Sequence, residues 1–98
     1  MNVEFADDDL DRLETDPTFT MGLPEGLVRA YRMRLQFIRS AADERDFYAL
    51  KSLHFEKLKG KRSHQRSIRL NKQFRLVLEL ETSGGSKRVK IVSIEDYH

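Results

Sequence analysis

The sequence predicts an α+β domain in which an N-terminal strand and helices pack on one face of a small antiparallel sheet. Apolar residues recur at helical spacing between Pro24 and Ala42, and from Ser67 onward they alternate with period two across turn-forming stretches. Length bounds the rest: 98 residues make one domain, residues 1–98, near the size where a lone core is marginal without a partner.

Asn2 to Ala6 alternates, with Val3 and Phe5 on one side, and fits a short strand able to join the sheet. Asp7, Asp8 and Asp9 then suit a helix start, where backbone N–H groups and the helix dipole both favour acids. Leu10 and Leu13 are that helix's buried side, and Asp16-Pro17 ends it. The following loop carries Phe19, Met21 and Leu23, too apolar to stand free in water. A longer helix runs from Pro24 to about Ala42, its stripe made of Leu27, Val28, Tyr31, Leu35, Ile38 and Ala42. Another short helical turn is expected from Asp43 to Leu50, with Phe47 and Leu50 inward. Leu53 to Arg62 reads as a short strand entering a basic loop, with His54 and Glu56 on one face and Phe55 and Leu58 seeking the core.

The last third sets which side chains meet. The three-residue turn Asn71-Lys72-Gln73 makes Leu70 oppose Phe74, Ile68 face Leu76 and Arg69 face Arg75. A four-residue turn, Thr82-Ser83-Gly84-Gly85, then makes Glu81 oppose Ser86, Leu78 oppose Val89, Leu76 oppose Ile91 and Arg75 oppose Val92. This register brings Asp96, Tyr97 and His98 to the end of the sheet that carries Arg69 and Arg75.

Charge is unevenly spread. Residues 1–25 hold eight acids and one base, whereas residues 26–98 hold 17 bases and eight acids, which gives the net +2. Between Lys51 and Arg75 nine bases face a single acid, Glu56, a balance that suits a polyanion or forms a plain solvated face. The absence of cysteine removes disulfides and thiolate metal sites and points to a reducing cytosol. No apolar run approaches the ~20 residues that span a bilayer, and no basic-then-apolar start directs export, so a cytoplasmic location with no membrane contact is expected.

No glycine-rich phosphate loop or nucleophile-elbow serine is present. The three histidines, His54, His64 and His98, with Asp96 give only a thin metal signal, so neither a metal nor a cofactor is expected. Ribonucleolytic cleavage suits this inventory better, because RNA supplies its own 2′-hydroxyl as nucleophile. It needs a base, an acid for the leaving 5′-oxygen, and fixed cations for the charge growing on phosphorus. Imidazoles and guanidinium groups fit those roles at neutral pH, and a tyrosine can stack on a base. The competing structural readings are a frayed terminal His98, a surface His54, a Tyr97 that seals the core, and Arg69 and Arg75 paired with Glu79 or Glu81.

Leu53-His54 with Leu58-Lys59-Gly60, the run from Gln65 to Leu76 and the closing Glu95-Asp96-Tyr97-His98 together resemble the HigB toxins of bacterial type II toxin-antitoxin systems, in the RelE/ParE superfamily. The resemblance implies a RelE-like microbial RNase fold and a ribosome-dependent mRNA endonuclease that acts in the decoding site of the 70S ribosome. It also implies a HigA-type helix-turn-helix antitoxin as partner, and through it operator DNA. By position, His54, Arg75, Asp96, Tyr97 and His98 match catalytic residues: His98 transfers a proton, Asp96 orients it, Arg75 clamps the transition state and His54 is the second acid-base group. Lys57, Lys59, Lys61, Arg62, Arg66 and Arg69 match RNA contacts. Many relatives have Pro-Leu-Lys-Gly directly after the histidine, whereas here Phe55-Glu56-Lys57 intervenes, and the acidic N-terminal segment is also unlike theirs. The alternatives are a ParE-like toxin acting on DNA gyrase and a plain RNA-binding module.

Overall fold

The computed structural model describes residues 1–96, and at Ser83 the backbone alone. Tyr97 and His98 lie outside the described residues. In chain order the elements are β1 (Asn2–Phe5), α1 (Asp8–Thr15), α2 (Glu25–Ser40), α3 (Arg45–Ala49), β2 (Glu56–Lys57), β3 (Arg66–Arg69), β4 (Phe74–Ser83) and β5 (Ser86–Asp96). Single 3₁₀ turns occupy Lys51–Leu53 and Gly60–Arg62. The described strands form one sheet in the order β1-β5-β4-β3-β2. Its body is antiparallel as expected, while β1 joins β5 in parallel and makes the sheet mixed.

Local chemistry fixes the helices. The Asp7 carboxylate accepts from Leu10 N–H at 2.9 Å and caps α1, whose first turn carries Asp8, Asp9 and Asp11. At the other end Arg32 donates to the carbonyls of Leu13, Asp16 and Phe19, so one α2 side chain holds the exit of α1 and the loop after it. The ammonium of Met1 donates to the carbonyls of Ile38, Arg39 and Ala41, placing positive charge at the C-terminal end of α2. No described helix is long and apolar enough to cross a membrane.

The core lies between the helices and one face of the sheet. Leu10, Leu13, Leu27, Val28, Tyr31, Leu35 and Ile38 meet Ile68, Leu76, Leu78, Val89 and Ile91, all buried. Ala41 rather than Ala42 closes the α2 stripe, because the helix ends at Ser40 and the extended residue after it turns Ala42 outward. Phe47 is buried in an edge contact with Phe55, but Leu50, past the end of α3, is exposed. Phe19 and Leu23 pack partly against the core, and Arg12 stacks over the Phe19 ring at 4.2 Å. Tyr31 is fully buried and donates to the Leu10 carbonyl at 2.7 Å, and its burial pushes the phenol pKa up. Tyr31→Phe should cost about 1 kcal/mol, read as a lower urea midpoint at unchanged slope.

Two expectations are corrected by the backbone. The β4–β5 turn is the pair Gly84-Gly85 alone, with φ of 57° and 82°, a conformation only glycine adopts without strain. Thr82 and Ser83 are therefore strand, and Glu81 opposes Arg88, Leu80 opposes Val89 and Leu78 opposes Ile91. A bulge follows: Val77 opposes Ser93, so Val92 is the extra residue and both Ile91 and Ile94 turn toward the core. Arg75 consequently opposes Glu95, not Val92. The second correction concerns Leu53 to Phe55, which is no strand. The 3₁₀ turn ends at His54 in the left-handed region (φ 47°), and the strand is confined to Glu56–Lys57.

Candidate active site

The sheet face turned away from the helices carries two rows of facing side chains, because directly opposed residues project to the same side. One row is Glu56, Ser67, Val77, Ser93 and the other is Arg69, Arg75, Glu95. The Arg69–Arg75 juxtaposition is the one the odd turn requires. That turn is fixed by Asn71, whose side-chain oxygen accepts from the N–H groups of Gln73 and Phe74 at 2.8 and 2.7 Å. From behind the sheet Arg34 donates to the Arg69 carbonyl at 3.2 Å, tying this strand end to α2.

Arg75 is the centre of the face. It is buried, with 9 % exposure, so its charge needs partners. Its Nη1 donates to the His54 carbonyl at 3.1 Å and to Ser67 Oγ at 3.2 Å, and its Nη2 lies 3.6 Å from Glu56 Oε2. The left-handed conformation of His54 thus places a main-chain acceptor in the site as well as a ring. Arg69 Nη1 lies 3.3 Å from His54 Nε2, and since a guanidinium only donates, Nε2 is the acceptor in that contact.

Arg75 also separates two clefts. One, about 190 Å³, is lined by Leu58, Arg62, Ser67, Val77, Glu95, Asp96 and Arg75 itself. The other, about 230 Å³, is lined by Arg69, Asn71, Lys72 and Arg75. The first holds mixed charge over an apolar floor and the second is cationic. A phosphodiester laid across Arg75 would have a positively charged cleft on one side and acid groups on the other.

Arg62 grips Glu95 through both nitrogens at 2.9 and 2.6 Å, and Ser93 Oγ donates to the same carboxylate at 2.6 Å. The guanidinium first, and the serine after it, hold the Glu95 carboxyl below the ordinary glutamate range. A group whose folded pKa is depressed stabilises the fold above its unfolded value of about 4.3, and that contribution is lost as pH falls through the folded value. Arg62→Gln should therefore lower stability at pH 7 by under about 1 kcal/mol, both partners being substantially solvated. Urea titrations of the two proteins should converge as the pH drops below about 4.

The residues expected at the site are distributed as follows. His54, Arg69, Arg75 and Asp96 gather at one end of the sheet, with Asp96 opposite Phe74 and accepting from Gln73 Nε2 at 2.9 Å. Arg62 is at the cleft but engaged by Glu95 and, through Nε, by the Gln65 side chain. Lys59 and Lys61 are exposed on the loop below it. Lys57 pairs with Arg66, which opposes the core residue Leu78, so this pair projects to the helix side of the sheet, away from Arg75. Tyr97 and His98 are outside the described residues. Sequence reasoning assigned no role to Glu56 or Glu95. For Glu56 a signal existed, since it is the one acid among nine bases; for Glu95 the bulge hid its face.

A family model described as a RelE-like toxin of the type II toxin-antitoxin system HigB matches residues 3–97. No curated protein matches the chain. Among solved structures, a YoeB/ParE toxin from Agrobacterium tumefaciens superposes with a TM-score of 0.62 at 17 % identity, over 100 % of both chains. A YoeB-YefM complex from Staphylococcus aureus gives a TM-score of 0.61 at 20 % identity, over 100 % of this chain and 97 % of that one. At such identities the structural likeness establishes the fold, and the family match extends over nearly the whole sequence. The chain belongs to the HigB-like toxins, RelE-like toxins of type II toxin-antitoxin systems.

Proposed function

We propose that this toxin is a metal-independent endoribonuclease that cuts mRNA in the decoding site of the 70S ribosome and so stops translation. The observation that carries the reading is Arg75, a buried guanidinium bound to the His54 carbonyl and Ser67 Oγ and close to Glu56, where two clefts meet. Such a cation, fixed before substrate arrives, stabilises the charge that builds on phosphorus during in-line attack without reorganising at that moment. The RNA 2′-hydroxyl attacks, His98 protonates the departing 5′-oxygen, Asp96 orients His98, and Tyr97 packs against a base. Arg69 extends the cationic track with Lys72, while Lys59, Lys61 and Arg62 reach phosphates further along the strand. The base is drawn from the two groups nearest Arg75, His54 and Glu56.

A site this open holds a flexible strand poorly, so the ribosome supplies the positioning. Free RNA should be cut at least about 10²-fold more slowly than ribosome-bound mRNA, measured by primer extension on the same transcript. Equal rates would remove the ribosome from the mechanism. Inducible expression in a bacterium with mapping of mRNA 5′ ends tests the reading as a whole. Growth arrest with DNA breaks and intact mRNA would replace it with action on DNA gyrase, and arrest without either with plain RNA binding.

A cytoplasmic antitoxin of the HigA helix-turn-helix type completes the system, and the complex binds operator DNA through that partner. A YoeB structure was solved with YefM, which supports a protein antitoxin for this chain as well. Co-expression of the adjacent reading frame should restore growth, and failure of every neighbouring product to do so would remove the pairing.

A further inference from the structure

Resting on the ribonucleolytic reading above, we propose that Glu95 is an internal stand-in for RNA phosphate, and that the Arg62–Glu95 pair sets the preference for ribosome-bound over free mRNA. Both residues line the cleft that Arg75 borders, and both remain accessible to solvent. A strand entering that cleft therefore meets an Arg62 whose charge is already answered.

The geometry carries this. Arg62 faces the two oxygens of Glu95 with Nη1 and Nη2, at 2.9 and 2.6 Å, the same fork with which a guanidinium takes two oxygens of a phosphodiester. Ser93 Oγ donates to Glu95 Oε2 at 2.6 Å, so the carboxylate is fixed as well as paired. Arg62 does not depend on Glu95 alone for its place. Its Nε donates to Gln65 Oε1 at 2.9 Å, and the other end of that amide, Nε2, donates to Glu79 Oε2 at 2.9 Å. Gln65 is buried, with its backbone N–H donating to the Arg62 carbonyl and its carbonyl accepting from the Leu58 N–H. So anchored, the amide keeps the guanidinium at the cleft when a second anion takes the place of the first.

A plain solvated ion pair would have no bearing on substrate. Here Glu95 stands opposite Arg75 in register, on the sheet face that the ribonucleolytic reading gives to the RNA. A phosphate that engages Arg62 must displace a carboxylate and come to rest beside it. A free strand gains little from that exchange and still loses its own freedom. A strand held by the ribosome has lost that freedom already, so the exchange no longer decides whether it binds. Until substrate is delivered, the pair withholds one cation from the track that Arg69, Lys72, Lys59 and Lys61 present.

The test is binding of a 2′-O-methylated single-stranded RNA, which cannot supply the nucleophile, by the full chain over a series of salt concentrations. Glu95→Gln keeps the shape of the side chain and removes its charge. It should bind more tightly than wild type, and its plot of log affinity against log salt should steepen by about 0.7, the increment for one more phosphate neutralised on a single strand. Glu95→Ala should agree, with folding of both variants checked by melting. In an Arg62→Gln background the same Glu95→Gln change should leave the slope where it was. Cleavage gives a second readout: Glu95→Gln should narrow the gap between free RNA and ribosome-bound mRNA by about tenfold, the scale of one charge-assisted contact. An unchanged slope in Glu95→Gln, or an equal steepening with and without Arg62, would each overturn the proposal, the latter by showing that Glu95 only repels RNA. A steeper slope with the gap unchanged would remove the pair from the preference for the ribosome. If the wild-type chain leaves mRNA intact on the ribosome, the ribonuclease reading itself has failed, which is a separate result because the salt dependence is read without cleavage.

Discussion

Arg75→Ala is expected to lower mRNA cleavage on the ribosome by about 10² to 10³, equivalent to roughly 2.7–4 kcal/mol of transition-state stabilisation. The size follows from placement. A buried guanidinium acts where water screens it little, and its Nη1 contacts to the His54 carbonyl and Ser67 Oγ fix its direction before substrate arrives. Arg75→Lys should recover only part of the loss, because one ammonium cannot bridge those two acceptors and still face two phosphate oxygens. The readout is kcat in single turnover, with ribosome binding measured beside it. A proportional loss of binding, with chemistry unchanged in the bound fraction, would make Arg75 a docking residue. Folding is separable by melting the variants: Glu56, left without its arginine, is half solvated and does not become a stranded buried charge.

The path to Arg75 was legible in the sequence because one short turn controls it. Asn71-Lys72-Gln73 has odd length, and with Ile68 and Leu76 required on one face, Arg69 and Arg75 have no choice but to meet on the other. The α2 stripe was equally plain, since its buried residues repeat at steps of three and four. The second hairpin was not, for two physical reasons. Thr82 and Ser83 have turn chemistry but are strand, because two consecutive glycines with positive φ already close the hairpin. Further on, Lys90-Ile91-Val92-Ser93-Ile94 has apolar residues at three of five positions, so alternation does not say which of them is skipped. The bulge at Val92 answers that and exchanges the faces of every later residue, bringing Glu95 opposite Arg75.

His54 and Glu56 were read as neighbours on one strand face, and this was misleading in another way. A left-handed residue cannot be inferred at a histidine from pattern alone, since such backbone is uncommon outside glycine, asparagine and aspartate. Here it reverses the chain between Leu53, in the core, and Glu56, on the sheet edge. The reversal sends the His54 carbonyl to Arg75 and its ring to Arg69, and places the carboxylate of Glu56 within 3.6 Å of the Arg75 guanidinium.

The largest expected effect belongs to the chain's last two residues. If His98 gives its proton to the departing 5′-oxygen, His98→Ala or deletion of Tyr97-His98 should lower cleavage by about 10² to 10⁴, the usual share of one general acid, with ribosome binding little changed. The assignment rests on Asp96, its proposed orienting carboxylate, which lines the cleft that Arg75 borders. An acid must approach phosphorus from the side opposite the base. His54 and Glu56 lie toward the β2 edge and Asp96 on β5, so Arg75 on β4 stands between the two sides that would supply them. His64→Ala is the control, because that ring is exposed, lies 3.7 Å from Glu79 and faces neither cleft, and its rate should match wild type. A wild-type rate after removal of Tyr97-His98 would end the acid assignment, and with Arg75→Ala equally silent it would leave a binding protein that poisons its target without cutting it.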